Sequence, residues 1–153
     1  MNTYEIQYIL EKMDKCTGGN YLGTFASDRI RGPKKHLDKQ YLIVNTHGHR
    51  KRGEHWLAIY LERREDGQFI GEYFDSFGLP PLVYNIKKYL EENCIVWDYS
   101  KEQIQPLTSN KCGLYTILYL ALRCRGMKMK EIVKYLKTIG DKNLEYVLKR
   151  LYK

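Results

Sequence analysis

Apolar residues recur with helical spacing in several segments of this chain. Near the N-terminus, Ile6, Ile9 and Leu10 form one stripe behind Thr3, a residue type that caps helices. Residues 112–123 are almost entirely apolar, which predicts a long buried helix. Three further helices are predicted at 79–92, 129–139 and 144–151.

Four shorter apolar runs predict strands, because each is too short for a helix and is bounded by turn-forming residues. They cover 41–46, 55–61, 69–74 and 95–97. Asp66-Gly67 lies between the second and third runs and predicts a hairpin. This order indicates an α+β fold in which a mainly antiparallel sheet is flanked by helices. Neither a repeat nor a linker divides the chain, so we expect one domain over 1–153.

The composition is that of an ordinary globular domain, with 43% hydrophobic and 29% charged residues among 153. Every apolar run is shorter than the roughly 18 residues of a membrane span, so we expect no membrane association. The four cysteines are too sparse for a disulfide scaffold, which makes a reducing compartment the default. Neither they nor the four histidines have the spacing of a zinc site, and we expect no metal or organic cofactor.

The formal net charge of +8 suggests a polyanionic partner, and nucleic acid is the first candidate. The plainer interpretation is a basic but merely well-solvated surface. Any nucleic-acid contact would be electrostatic and independent of base sequence. The basic residues cluster at 29–35, 50–52 and 128–130.

Four polar residues in separate segments supply the parts of a thiol hydrolase. Cys112 begins the long apolar helix, where the helix N-terminus favours a thiolate. His55 begins one predicted strand and Asp75 ends the next, so the carboxylate is expected to orient the imidazole. Gln105 precedes Pro106 in a loop, from which its amide can donate to an oxyanion. The order His, Asp, Gln, Cys excludes papain-like enzymes, whose cysteine comes first.

Three of these residues also have a plainer interpretation. Cys112 could be a small core residue, Asp75 a turn residue, and Gln105 a surface residue. Cys124 lies on the same predicted helix without a flanking glycine or an upstream glutamine, and we interpret it as structural. The joint occurrence of the four residues in one order favours the catalytic interpretation.

The motifs around these residues resemble those of the adenovirus protease (adenain) family, including relatives in adenovirus-like viruses and virus-like transposons. The matching motifs are Tyr21-Leu-Gly-Thr-Phe25, Ile43-Val-Asn-Thr46, Gly53-Glu-His-Trp56, Tyr73-Phe-Asp-Ser-Phe-Gly78 and the segment from Gln105 to Cys112-Gly113.

The resemblance implies a cysteine endopeptidase with Cys112 as nucleophile, His55 as general base and Asp75 as its orienting partner. It places Gln105 in the oxyanion hole. It also implies that the substrates are viral capsid and core precursor proteins, cut at glycine-containing sites during virion maturation. Virion and host nucleus would then be its locations, with an intracellular, reducing compartment expected otherwise.

The same resemblance implies activation by DNA and by a short capsid-derived peptide that forms a disulfide with the enzyme. Cys94, 18 residues before Cys112, stands at the position of the family's peptide-binding cysteine. The alternative is that Cys94 is simply a buried small residue. We expect a monomer.

Two other functions remain open at this stage. Proteases that remove ubiquitin-like proteins share the order His, Asp, Gln, Cys, so deconjugation is one alternative. The other is a non-catalytic, basic nucleic-acid-binding or capsid-binding protein on a protease scaffold.

Overall fold

The computed structural model describes residues 1–12, 18–48 and 55–151. Within these ranges, one five-stranded sheet has the strand order β1-β2-β3-β4-β5. The strands are β1 (Tyr21–Phe25), β2 (Lys39–Asn45), β3 (Trp56–Arg63), β4 (Phe69–Phe74) and β5 (Val96–Tyr99). The helices are α1 (Thr3–Lys12), α2 (Tyr84–Asn93), α3 (Cys112–Cys124), α4 (Met129–Ile139) and α5 (Leu144–Leu151).

The α+β class is confirmed, but the sheet is mixed rather than mainly antiparallel. Strands β3 and β4 pair antiparallel, as the hairpin at 66–67 requires, and β2 and β3 also pair antiparallel. Strands β1 and β5 add to the two edges of the sheet in parallel. Parallel neighbours need a long crossover. Residues 26–38 provide it between β1 and β2, and α2 provides it between β4 and β5. Strand direction at the edges depends on these crossovers, which local apolar patterns do not report.

Two boundaries also differ from the sequence prediction. The strand β1 was not predicted, because its run is short and contains Gly23, a residue type that is depleted in strands. The helix expected at 79–92 begins only at Tyr84. A following proline disfavours helical backbone, so Pro80 and Pro81 keep the preceding residues extended.

The central strands β2 and β3 are covered on both faces, which explains their continuous apolar runs. Tyr41 and Ile43 face a core formed with α1, α3, α4 and α5. Leu42 and Val44, the alternating residues of the same strand, face a second core formed with α2. The sheet is therefore the middle layer of three. Helix α3 is buried from Cys112 to Leu122 and packs against β3.

Among the described residues, Cys94 and Cys112 carry free thiols. Cys124, expected to be structural, is disulfide-bonded. A disulfide does not fit the reducing compartment taken as the default from the sequence. The basic cluster at 50–52 and residues 53–54 of one family motif lie outside the described residues. No helix in the described ranges is long and apolar enough to cross a bilayer.

A polar cluster ties the far end of α3 to the sheet. Arg123 donates from Nε to Glu72 Oε1 at 2.9 Å and from its second terminal nitrogen to Glu72 Oε2 at 3.0 Å. Tyr119 donates its hydroxyl to Glu72 Oε1 at 2.7 Å. The Arg123 guanidinium also lies over the ring of Tyr60, 4.4 Å from its centroid. Glu72 on β4 therefore holds the end of α3 that is opposite Cys112.

We expect Glu72→Ala to lower the free energy of unfolding by about 2 kcal/mol, because two donors would lose their acceptor in a half-buried site. Denaturant unfolding measures the change. Glu65→Ala is the control, since Glu65 is exposed in the turn after β3, and its effect should stay within about 0.5 kcal/mol. Equal stability of the two variants would contradict this role of Glu72.

Candidate active site

Cys112 is the first residue of α3, and 8% of its surface is exposed. The preceding residue, Lys111, provides no side-chain cap for the helix. Instead, backbone N–H groups of Trp56 and Gly113 donate to the Cys112 sulfur. The sulfur thus occupies the position where a helix start presents free donors and a partial positive charge.

His55 directly precedes β3, and Asp75 directly follows β4. Because Ala58 pairs with Phe74 across the antiparallel hairpin, the start of β3 and the end of β4 lie side by side at the same end of the sheet. His55 Nε2 and Asp75 Oδ1 are 2.7 Å apart, and the two side chains are 17% and 5% exposed. His55 is also hydrogen-bonded to Cys112. The three side chains form one hydrogen-bonded series from carboxylate to thiol.

The turn after β4 holds this series in place. Asp75 Oδ1 accepts the Phe77 backbone N–H at 2.8 Å, so Asp75 has a turn-forming role as well as its contact with the imidazole. The Phe77 ring stacks on His55 with 5.0 Å between centroids. Gly78, at φ 73°, lies so close to the next loop that a Cβ would be 2.7 Å from the carbonyl carbon of Glu102. Each of the three specified positions of the Asp-x-Phe-Gly motif thus makes its own contact: a hydrogen bond, a ring stack and a close backbone approach.

Opposing effects act on the thiol. Burial by itself raises the pKa of Cys112, but the hydrogen bond from His55, the two backbone donors and the positive imidazolium together bring that pKa below its ordinary value. Burial also opposes the charged form of His55, and for an imidazole this effect by itself lowers the pKa. Hydrogen bonds and charge attraction from Asp75 and Cys112 exceed that effect and raise it to about 9. Both shifts favour the thiolate–imidazolium pair over the neutral thiol and imidazole, and the imidazolium loses its proton as the pH rises through about 9.

Gln105 is 1% exposed in the loop before α3, so it is not the surface residue of the plainer interpretation. Its Oε1 accepts a hydrogen bond from the Ser76 hydroxyl. Its Nε2 donates to the Ser109 carbonyl at 3.0 Å. Ser76 also fixes the loop backbone, because its carbonyl accepts the N–H groups of Ile104 and Gln105. The amide is thus held in one orientation, with two N–H groups on a single nitrogen to share between the loop and a ligand.

Met1 is a neighbour of the site that the sequence analysis did not identify. Its carbonyl accepts the Trp56 indole N–H at 3.2 Å. A Cβ on Gly113 would lie 3.1 Å from Met1 Sδ and 3.2 Å from Met1 Cβ. The glycine that follows Cys112 therefore leaves room for this contact. A partner this distant along the chain has no local sequence signal.

Cys94 lies away from these residues, directly after α2, and is 8% exposed. Burial raises the pKa of its thiol to about 11. It borders a surface groove of about 780 Å³ that also includes Phe69, Pro33 and the hairpin turn. Gly71 gives the sulfur its space, since a Cβ there would be 2.7 Å from Cys94 Sγ. Both interpretations of Cys94 retain an observation in their favour, burial for one and the groove for the other.

Within the described ranges, no group of three His, Cys, Asp or Glu side chains could hold a metal ion. The polar residues brought together are instead a thiol, an imidazole and a carboxylate, with a buried amide in the adjoining loop. This combination of side chains on an α+β scaffold is typical of the active sites of cysteine-dependent hydrolases.

Comparison with known proteins agrees with that class. Residues 21–150 match the family described as adenovirus endoprotease, so the chain belongs to the adenovirus endoprotease family. It is similar to the protease of Human adenovirus B serotype 3, with 28% identity over 120 residues. That match covers 70% of this chain but 56% of the viral protein, so the chain spans little more than half of that relative's length.

Two solved structures share the fold. The ASFV pS273R protease superposes with a TM-score of 0.55 and 21% identity, over 76% of this chain and 45% of that one. The central domain of the uncharacterized Lpg1148 protein from Legionella pneumophila superposes with a TM-score of 0.59 and 13% identity, over 99% and 96% of the two chains. Identities this low establish the common fold and nothing further.

We expect Asp75→Asn to move the midpoint of Cys112 alkylation to higher pH by roughly 1–2 units, because the imidazolium that stabilises the thiolate loses its negative partner. Iodoacetamide labelling over a series of pH values, followed by mass spectrometry, measures the midpoint. Asp66→Asn is a matched control, since Asp66 also accepts a backbone N–H two residues on, from Gln68 at 3.0 Å, but pairs with Arg64 instead of a histidine. Unchanged midpoints in both variants would leave Asp75 with only its role in the turn.

Proposed function

We propose that this protein is a cysteine endopeptidase whose nucleophile is Cys112. The observation that carries the proposal is the hydrogen-bonded series from Asp75 through His55 to Cys112, with a thiol pKa below its ordinary value. A small core cysteine would need neither the imidazole nor the carboxylate. The proposal treats 1–153 as one catalytic domain.

The reaction follows from the protonation states. The Cys112 thiolate attacks the carbonyl carbon of the scissile bond, and the carbonyl oxygen becomes an oxyanion. The Cys112 backbone N–H and the Gln105 amide, through the N–H that does not point to the Ser109 carbonyl, stabilise this oxyanion. The His55 imidazolium then gives its proton to the leaving amine. Neutral His55 next takes a proton from water, which hydrolyses the thioester and restores the thiolate. Asp75 keeps the ring oriented and compensates its positive charge.

The substrate class is proposed from the family to which the chain belongs. Membership of the adenovirus endoprotease family and similarity to a viral protease support precursor proteins of a virus as substrates. Cleavage at glycine-containing sites during virion maturation, in the virion or the host nucleus, is proposed by the same analogy. The hydrogen-bonded series of three side chains disfavours a non-catalytic scaffold, since the role of Asp75 in the turn requires neither an imidazole nor a thiol beside it.

We expect Cys112→Ala to lower kcat/KM on a glycine-containing peptide by roughly 10³ or more. Gln105→Ala should lower kcat by about 10²–10³, because its amide acts on the oxyanion. Iodoacetamide labelling of Cys112 should stay nearly intact in Gln105→Ala, because the resting thiolate does not need that donor. Peptide hydrolysis and labelling are measured on the same preparations.

The chain offers a matched control for each change. Cys94→Ala removes a second free thiol of the described residues, and Gln68→Ala removes an exposed glutamine in the hairpin turn. Both should keep normal turnover in the absence of any peptide activator. Normal turnover in Cys112→Ala would refute the mechanism, and equal losses of labelling and turnover in Gln105→Ala would mean that the loop had simply been damaged.

We also propose that DNA binds to the positively charged surface of the enzyme and activates it. Lys34 and Lys35 are exposed in the 29–35 cluster, and Lys128 and Lys130 are exposed at the start of α4. Activation by a peptide disulfide at Cys94 has weaker support, because burial and a raised pKa both make that thiol a poor nucleophile.

The affinity for DNA should fall steeply with salt, through release of condensed counterions. We expect the double variant Lys34→Ala, Lys35→Ala to reduce the slope of log affinity against log salt by up to about 2. Fluorescence anisotropy with duplexes of unrelated sequence measures it. The double variant Lys87→Ala, Lys88→Ala is the control, because Glu91 and Glu92 already pair with those two lysines. Affinity that does not change with salt would contradict the proposal.

A further inference from the structure

The Gln105 amide depends on the Ser109 side chain as well as on the Ser109 backbone. Gln105 Nε2 lies 3.4 Å from Ser109 Oγ, in addition to its 3.0 Å bond with the Ser109 carbonyl. The Lys111 backbone N–H also donates to Ser109 Oγ, at 3.1 Å. Ser109 must therefore present lone pairs to both neighbours, and its single hydroxyl proton has to point elsewhere.

The Asp141 carboxylate accepts the hydrogen bond from this hydroxyl. Ser109 Oγ donates to Asp141 Oδ1 at 2.8 Å, across 32 residues of sequence. A carboxylate accepts and cannot donate, so the Ser109 hydroxyl has only one orientation in this pair. Asp141 thereby keeps Ser109 Oγ an acceptor for the N–H groups of Gln105 and Lys111.

Asp141 also contacts both sides of Cys112 along the chain. On one side, Lys111 Nζ donates to the Asp141 carbonyl at 3.1 Å and lies 4.0 Å from Oδ2. On the other, the buried Tyr115 hydroxyl donates to Oδ1 at 3.0 Å. Asp141 begins a short 3₁₀ turn between α4 and α5, after Gly140 at φ 78°. The turn between α4 and α5 thus contacts the residues before and after Cys112 through Asp141.

We propose that Asp141 is a positioning residue for oxyanion stabilisation: through Ser109 it sets the orientation of the Gln105 amide. This inference rests on the proposed function, because it assigns Asp141 to the step in which Gln105 acts. It makes a demand that mere support of the fold does not make, namely that loss of Asp141 affects turnover and leaves the resting thiolate unchanged.

In Asp141→Ala, kcat for peptide hydrolysis should fall at least about tenfold and by no more than in Gln105→Ala. KM should change by less than about threefold, since the loss arises in the transition state. The pH profile of Cys112 alkylation should stay where it is in the parent protein. Asp141→Asn should recover most of the turnover, because its amide oxygen still accepts from Ser109 and Tyr115.

A double-mutant cycle separates positioning from general support. In a Gln105→Ala background, Asp141→Ala should cause no further loss of kcat, because the group that it positions is already absent. Ser109→Ala provides the same comparison if Asp141→Ala does not fold. Lys137→Ala is the matched control, since it removes an exposed 2.6 Å contact from α4 to Glu102 in the same loop, and should retain turnover within about twofold.

Four outcomes would overturn the inference. Additive losses in the cycle, or parallel losses of turnover and alkylation, would make Asp141 a support of the fold only. Full turnover in both Asp141→Ala and Ser109→Ala, beside a defective Gln105→Ala, would refute the inference and leave the proposed function standing. Full turnover in Gln105→Ala would instead refute the oxyanion role that both share.

Discussion

The packing of α3 against β3 is the constraint on which the active site depends. The helix is buried along eleven consecutive residues from Cys112 to Leu122, so its first residue cannot shift without disturbing the larger of the two cores. His55 precedes the strand against which this helix packs, and the backbone N–H of Trp56, the first residue of that strand, donates to the Cys112 sulfur. The thiol and the imidazole are therefore brought together by the same contact that forms the core.

The electrostatics of the site are determined by how much burial each group can tolerate. Burial opposes charge on both Cys112 and His55, yet their mutual attraction, the Asp75 carboxylate and the backbone donors exceed that cost. Cys94 shows the result where such partners are lacking, because burial alone raises its pKa to about 11. The two thiols are equally exposed, at 8%. The difference between their pKa values thus comes from neighbouring groups rather than from exposure.

Two carboxylates secure the ends of α3 in different ways. Glu72 holds Arg123 and Tyr119 at the helix C-terminus, and Asp141 holds Ser109, Lys111 and Tyr115 around its N-terminus. The first contact joins α3 to the sheet. The second joins it to the turn between α4 and α5. Both flank a helix whose apolar surface alone would fix its depth in the core but not its rotation or register.

The sequence by itself determined most helices, the central hairpin and the residue types of the site, because these depend on local periodicity and on motifs with specified spacing. It placed helix boundaries at Cys112 and Met129 and the strand from Phe69 to Phe74, all of which the structure shows. The parallel edge strands were decided only by tertiary structure, since their direction depends on long crossovers. So were the contacts of Met1, Ser109 and Asp141 around the site. Each of these contacts joins residues far apart in the chain. A single polar side chain has no periodic pattern in the sequence from which its distant partner could be predicted.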